Sequence, residues 1–210
     1  MDEIEQRSPE WFAERCGKVT ASKIADLMAR TQKGWGASRA NYAAQLVCER
    51  LTGTAEQGYS NAAMQWGTDW EPEAREAYGL HVGEFVDEIG FARHPVIADS
   101  GASPDGLVGD DGLVEIKCPN SATHIATLRG EPIADKYIKQ MQWQMACTGR
   151  QWCDFASYDP RLPERMRLHV ARVSRDQAMI DDIEAHVQDF LAEVAATVAD
   201  LEARYLKEAA

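Results

Sequence analysis

The chain has 210 residues, with 22 Lys and Arg against 34 Asp and Glu and a formal net charge of −12. That length suits one domain with a sizeable core, and a hydrophobic content of 45% excludes a disordered chain. The charge argues against a broad, non-specific coat on nucleic acid, which needs cations on phosphates, but it allows a basic channel inside an acidic exterior.

No apolar stretch reaches the roughly 18 residues that mark a membrane span. The acidic opening MDEIEQRSPEWF lacks the apolar run of a secretory signal, so an intracellular location is expected. In chain order, Ser8-Pro9-Glu10 reads as a helix start, with Ser8 as N-cap and Pro9 in the first turn, ending near Gly17. A second helix is expected from Ser22 to Ala29. The stretch Arg30 to Arg39 reads as a polar, Gly-containing loop carrying Arg30, Lys33 and Arg39. Ser38 then caps a helix with Tyr42, Leu46, Val47 and Leu51 at helical spacing, stopped by Gly53. Asn61 to Tyr78 is predicted helical, kinked or split at Pro72. From Val82 to Val96 the pattern turns β-like. Ala102 to Val108 and Gly112 to Lys117 are predicted strands joined by hairpin chemistry at Gly109-Asp110-Asp111-Gly112. Lys136 to Thr148 is an amphipathic helix closed by Gly149. Trp152 to Tyr158 and Arg167 to Val173 are strands, and Asp176 to about Lys207 is a long acidic helix with room for one break. The order describes a single mixed α/β domain with a central mixed β-sheet flanked by helices. Five cysteines, Cys16, Cys48, Cys118, Cys147 and Cys153, form no C-x-x-C pair. They read as reduced, mostly buried apolar side chains rather than disulfides or zinc ligands.

The chemistry concentrates in Ser103-Pro104-Asp105-Gly106 and Glu115-Ile116-Lys117. A hairpin sets positions near Asp105 opposite positions near Glu115. Glu115 and Lys117, two apart on a strand, share a face, while Ile116 points into the core. Two carboxylates and an ammonium at one spot are what phosphodiester hydrolysis needs. The carboxylates hold Mg²⁺, with Mn²⁺ as a substitute, and the Ile116 carbonyl adds an oxygen ligand. The metal activates water, and the lysine orients it or stabilises developing charge. The bland alternative is a solvated hairpin with a surface Glu–Lys pair.

Three further groups bear on the choice. Glu71, after Trp66-Gly67, can reach the same metal, or it is one more surface acid of its helix. Gln140 and Gln144 share a helix face that contacts a phosphate or metal-bound water, or simply faces solvent. Trp11, Arg15 and Ser22 can form an anion pocket with helix N-terminal amides, or they are a surface arginine and a cap. His124 is a candidate phosphate contact or a surface histidine at a helix start, and His94 reads as structural.

The blocks W-x-x-x-R-x-G-x-x-T-A-S (Trp11 to Ser22), W-G-x-x-x-E (Trp66 to Glu71), S-P-D-G (Ser103 to Gly106), L-V-E-I-K-C-P (Leu113 to Pro119), the Gln-rich helix and Y-D-P-R (Tyr158 to Arg161) follow one another in order. Together they resemble the phage lambda exonuclease family of viral-type recombinases, within the PD-(D/E)xK, restriction-endonuclease-like nuclease superfamily. The resemblance implies an alkaline 5′→3′ exonuclease that degrades one strand of linear double-stranded DNA and leaves 3′ overhangs for strand annealing. It implies a homotrimeric ring around DNA, an annealing-protein partner and two metal ions per site. Carried over position by position, it makes Asp105, Glu115 and the Ile116 carbonyl metal ligands, and Lys117 the catalytic lysine. Glu71 becomes an added acid near the second metal and Gln140 a glutamine facing the site. Arg15, Ser22 and Ser103, beside Trp11, become the pocket for the DNA end's 5′-phosphate. The sequence departs from the family where a phosphate-binding arginine follows the E-x-K block: Thr123 and His124 stand there. The basic pattern of Arg30 to Arg39 also differs. An endonuclease of the same superfamily, or a non-catalytic DNA-end-binding protein, are the alternatives.

Overall fold

The computed structural model describes residues 4–56 and 61–206. Helix α1 (Pro9–Arg15) starts as its sequence demands: the Ser8 hydroxyl accepts the Trp11 N–H at 3.2 Å and Pro9 needs no donor partner. The next segment is shorter than the expected helix. Strand β1 (Val19–Thr20) leads through a 3-10 turn (Ala21–Lys23) into a single-turn α2 (Ile24–Leu27). The loop at Arg30 folds into a small hairpin of β2 (Arg30–Thr31) and β3 (Gly34–Trp35). Helix α3 (Ala37–Thr52) is capped by Gly36 rather than Ser38, whose hydroxyl turns instead toward the Asp26 carbonyl at 3.5 Å. It ends on left-handed Gly53.

Helix α4 (Ala62–Val82) is capped by Asn61 and runs unbroken through Pro72. An interior proline costs about 3 kcal/mol. The burial of Ala74 and Tyr78, with Trp70 and Ala77 beside them, against the central sheet offsets that cost. The β-like region that follows yields only β4 (Val86–Asp87) and β5 (Ala92–Arg93). The expected strand over 102–108 divides into β6 (Ser100–Ala102) and β7 (Gly106–Val108), because Pro104 has no N–H to continue a ladder. Strand β8 is Gly112–Lys117. Helix α5 (Ser121–Leu128), capped by Asn120, was not assigned from the sequence beyond a helix start at His124. Then come α6 (Asp135–Thr148), β9 (Trp152–Tyr158), β10 (Leu168–Ser174) and an unbroken α7 (Gln177–Tyr205). Lys207, the expected end of that helix, lies outside the described residues.

The main sheet has the order β10-β9-β8-β7-β4, with β8 and β9 parallel and the other pairs antiparallel. A second sheet, β1-β6-β5, sits beside it. Strand β8 lies between two helices and its period of two decides what each sees. Val114 and Ile116 pack with Ala74 and Tyr78 of α4. Leu113 packs with Met141 and Met145 of α6. Glu115 and Lys117 therefore point to the α6 side. A separate helical core joins α2, α3, α6 and α7 around Trp143, Leu46 and Phe190. The five cysteines are free thiols, but only Cys147 and Cys153 are buried and Cys48 is exposed. Among the described residues no helix is long and apolar enough to cross a membrane.

Candidate active site

Glu115 is fully buried at the end of β8, and α6 supplies its partners. Gln140 Nε2 donates to Oε1 at 2.7 Å and Gln144 Nε2 to Oε2 at 2.6 Å. The Lys117 ammonium pairs with Oε1 and lies 5.2 Å from the centre of the Tyr137 ring. Burial pulls the Lys117 pKa down, but Glu115 and Asp105 more than offset it, so the net shift is upward and the group stays a cation. The glutamines thus face a carboxylate rather than solvent.

Asp105 follows the break made by Pro104. Its Oδ2 accepts the Ile116 N–H at 2.7 Å, taking the place of a strand partner where the β7–β8 ladder stops at Gly106 and Val114. Gly106 belongs in this tetrapeptide for a steric reason: a Cβ there would sit 2.1 Å from Val86 Cγ1. Burial, and then Glu115, push the Asp105 pKa well above the ordinary carboxylate range. Lys117 opposes the shift and Glu71 adds to it. Ile116 offers only its backbone, since its side chain is core.

Glu71 projects from α4. Its Oε1 accepts Arg75 Nη2 at 2.7 Å and its Oε2 accepts Arg7 Nη2 at 2.5 Å. Arg75 also donates Nε to the Asp105 carbonyl at 3.0 Å and pairs with Glu88. It therefore ties the helix carrying Glu71 to the segment carrying Asp105. The Cys118 thiol, raised to about 12 by burial, also feels Glu71 and Asp105.

Close to Asp105, three of the expected pocket residues converge. Ser103 Oγ accepts Trp11 Nε1 at 2.9 Å and Arg15 Nη1 at 3.1 Å, and Arg15 lies 3.9 Å from the centre of the Trp11 ring. Both acceptor positions of the hydroxyl are taken, so its proton is free to donate. Burial lowers Arg15 to about 10, which leaves it charged at neutral pH. Ser22 does not join them. It is exposed in the 3-10 turn and makes no side-chain hydrogen bond among the described residues.

Two histidines and an arginine depart from, or refine, the sequence reading. His124 is not a surface residue: it is fully buried, with Nδ1 2.7 Å from Ser157 Oγ and Nε2 2.9 Å from the Met166 carbonyl. His94 is structural, stacked on Trp143 and bonded to Glu184. Arg39, expected on a basic surface, is 3% exposed, donating to Glu193 at 2.7 Å and to the Leu27 carbonyl at 3.1 Å. Sequence reasoning missed Arg7, Arg75 and Tyr137. Only Arg75 left a local signal, as the i,i+4 partner of Glu71.

Such a set fits a hard divalent cation. Asp105 and Glu115, with a carbonyl between, present oxygen donors, two carboxylates beside the single ammonium of Lys117. Among the described residues no group of three or more His, Cys, Asp or Glu is placed to hold a metal ion by itself. Two carboxylates and a backbone carbonyl would leave the remaining positions of a divalent ion to waters and substrate oxygens.

No curated protein sequence matches the chain. Among solved structures, it is 55% identical to an alkaline exonuclease (LHK-Exo) from Laribacter hongkongensis, over 96% of this chain and 100% of that one, with a TM-score of 0.90. The complex of LHK-Exo with dAMP compares in the same way, at 56% identity over 96% of this chain and 100% of that one, with a TM-score of 0.90. A phage-related exonuclease from Haemophilus somnus 129PT shares the fold at 14% identity, over 88% of this chain and 96% of its own, with a TM-score of 0.69. Residues 10–151 match the YqaJ-like viral recombinase domain, a span that holds α1, the Glu71 helix, the Asp105–Lys117 hairpin and the glutamine helix. The chain therefore belongs to the YqaJ-like viral recombinase domain family, whose members are lambda-exonuclease-like.

Proposed function

We infer that this chain is a Mg²⁺-dependent 5′→3′ exonuclease that degrades one strand of linear double-stranded DNA and leaves a 3′ overhang for annealing. At the coarser level the chain is a deoxyribonuclease of the alkaline exonuclease type. The observation that carries the finer reading is the adjacency of two sites. The Asp105–Glu115–Lys117 cluster lies beside the Trp11–Arg15–Ser103 pocket, with only Pro104 between Ser103 and Asp105.

Asp105 and Glu115 would hold the cation of this PD-(D/E)xK-type site, with the Ile116 carbonyl, and Glu71 would contribute to a second ion on release from Arg7 or Arg75. A bound divalent ion supplies an activated water and neutralises charge on the scissile phosphate. The chain's own groups do the rest. Gln140 and Gln144 fix the Glu115 carboxylate in one orientation. Lys117, paired with Glu115, would act as a fixed positive charge beside the nucleophile and the forming oxyanion. Arg75 holds the Asp105 backbone. Arg15 and the free Ser103 proton form a pocket for a terminal phosphate, and the dAMP bound by LHK-Exo is a deoxynucleoside monophosphate of the kind such a site would meet.

A homotrimeric ring, two ions per site, Mn²⁺ as a substitute, an annealing-protein partner, one nuclease domain over 1–210 and a cytoplasmic location complete the proposal. Closure around DNA would keep product and enzyme together between cuts. With Arg39 buried, the cations left for the duplex in that region are Arg30 and Lys33 of the β2–β3 hairpin.

The decisive experiment is digestion of linear duplexes bearing a 5′-phosphate or a 5′-hydroxyl, with and without Mg²⁺. Metal-dependent loss of one strand, faster on the phosphorylated end, is the expected result. Efficient cutting of covalently closed circles would favour an endonuclease instead. Arg15→Ala should erase most of the preference for phosphorylated ends, worth about 1.5–3 kcal/mol for a charge-assisted contact. Arg75→Met, which frees Glu71 Oε1 and the Asp105 carbonyl while Arg7 still holds Glu71 Oε2, should lower kcat about tenfold with little change in KM, as expected for lost positioning.

A further inference from the structure

Arg161 belongs to Tyr158-Asp159-Pro160-Arg161, where the chain leaves β9, and none of the catalytic roles above uses it. Asp159 is fully buried and holds Arg161 three ways. Its Oδ1 accepts the Arg161 backbone N–H at 3.0 Å and Nε at 2.7 Å, and its Oδ2 accepts Nη2 at 3.1 Å. Nη2 also donates to the Pro119 carbonyl at 3.1 Å. The guanidinium lies 4.4 Å from the centre of the Trp66 ring. Yet the side chain remains 44% exposed, and Nη1 makes no hydrogen bond among the described residues. The Trp66 indole N–H is itself the one buried side-chain polar group among the described residues without a partner.

This is a braced cation with one edge open to solvent. Most exposed arginines lose rotamer freedom when they bind an anion, but this one has little left to lose. Its location is also particular. Pro119 follows Lys117 by two residues, and Trp66 precedes Glu71 on α4, so both groups that hold the guanidinium are near neighbours along the chain of residues in the catalytic cluster. A surface ion pair serving only Asp159 would need neither the bond to Pro119 nor the indole beneath it.

We propose that Arg161, braced by Asp159 and Trp66, binds a backbone phosphodiester of the DNA strand that passes Lys117. The proposal rests on the nuclease reading and adds a second anion contact, separate from the Arg15 pocket.

Binding is measured by fluorescence anisotropy of the full chain with a 5′-phosphorylated duplex, in chelator to prevent cutting, over a range of salt. Arg161→Gln should weaken binding about tenfold and flatten the dependence of log K on log salt by about 0.9, the loss of one duplex phosphate contact. Digestion by the same variant with Mg²⁺ should show a raised KM and a kcat within about twofold of wild type. Arg161→Lys keeps the charge and should retain the salt slope while losing several-fold in affinity. If Arg161→Gln does not fold, Arg161→Lys carries the test alone, and wild-type affinity in it overturns the proposal. Unchanged affinity and slope in Arg161→Gln, or a fall in kcat with the slope intact, would assign the arginine to bracing only. Wild-type protein that leaves linear duplex intact would instead defeat the nuclease reading, a distinct outcome.

Discussion

Asp105→Asn is expected to slow DNA digestion by about 10³-fold while making the metal-free protein more stable. The two effects have one cause. Asn keeps an oxygen that can accept the Ile116 N–H, so the β7–β8 junction stays closed. What disappears is a charge that burial and Glu115 both oppose. Loss of a metal-binding carboxylate removes several kcal/mol of stabilisation of the charged transition state, and each ~1.4 kcal/mol is tenfold in rate. The sign of the stability change follows from linkage. A carboxyl with a raised folded-state pKa contributes stability only while protonated, below its unfolded value, and that contribution is lost as pH rises through the folded value. Above the unfolded value that contribution is already being lost, so Asn relieves a penalty there; in acid, below the unfolded value, the difference vanishes. For a chain of this length a gain of ~1 kcal/mol is a few degrees in Tm. Mg²⁺ should raise the Tm of the wild type by binding only the folded state, and should do little for Asp105→Asn. Scanning calorimetry with and without Mg²⁺, beside a digestion assay, reads both. Undiminished digestion would remove Asp105 from the chemistry.

The same residue illustrates how much of the molecule was legible beforehand. Period-two alternation along Gly112–Lys117 is a local property, so the common face of Glu115 and Lys117 followed from the sequence, and so did Ile116 in the core. Helices ending at Gly53 and Gly149 were legible for a similar reason: the left-handed cap is written into the glycine. Local patterns failed where distant contacts decide. Two-residue strands such as β4 and β5 have no period to read, and exist only because a neighbour pairs with them. His124 looked like a surface residue at a helix start until β9 and the Met166 turn closed over it. Arg39 looked like a surface cation until Glu193 of α7, far along the chain, paired with it. Gln144 stayed open between a site-facing amide and a solvated one, and it is fully buried because a carboxylate awaits it on β8. Ser22 was placed in the pocket by resemblance, and its local 3-10 turn leaves it exposed.

Lys117→Met should separate charge stabilisation from metal binding, which Asp105→Asn cannot do. Methionine fills a similar volume beside Tyr137, so packing is nearly conserved. Among the described residues, the lost group is the only cation paired with the Glu115 carboxylate. A fixed positive charge aimed at a forming oxyanion is worth about 10²–10³ in kcat, and that is the expected fall, with KM little changed. The metal should respond in the opposite direction. With the ammonium gone, Asp105 and Glu115 present more uncompensated negative charge, so a divalent ion should bind at least as tightly as in wild type. Titration calorimetry with Mg²⁺ or Mn²⁺ on the two variants would then give opposite results at equally poor activity: binding lost in Asp105→Asn, and kept or strengthened in Lys117→Met. If Lys117→Met lost the metal as well, the lysine would be organising Glu115 rather than meeting developing charge. Its role would then shift from catalysis to holding the carboxylate beside Gln140 and Gln144.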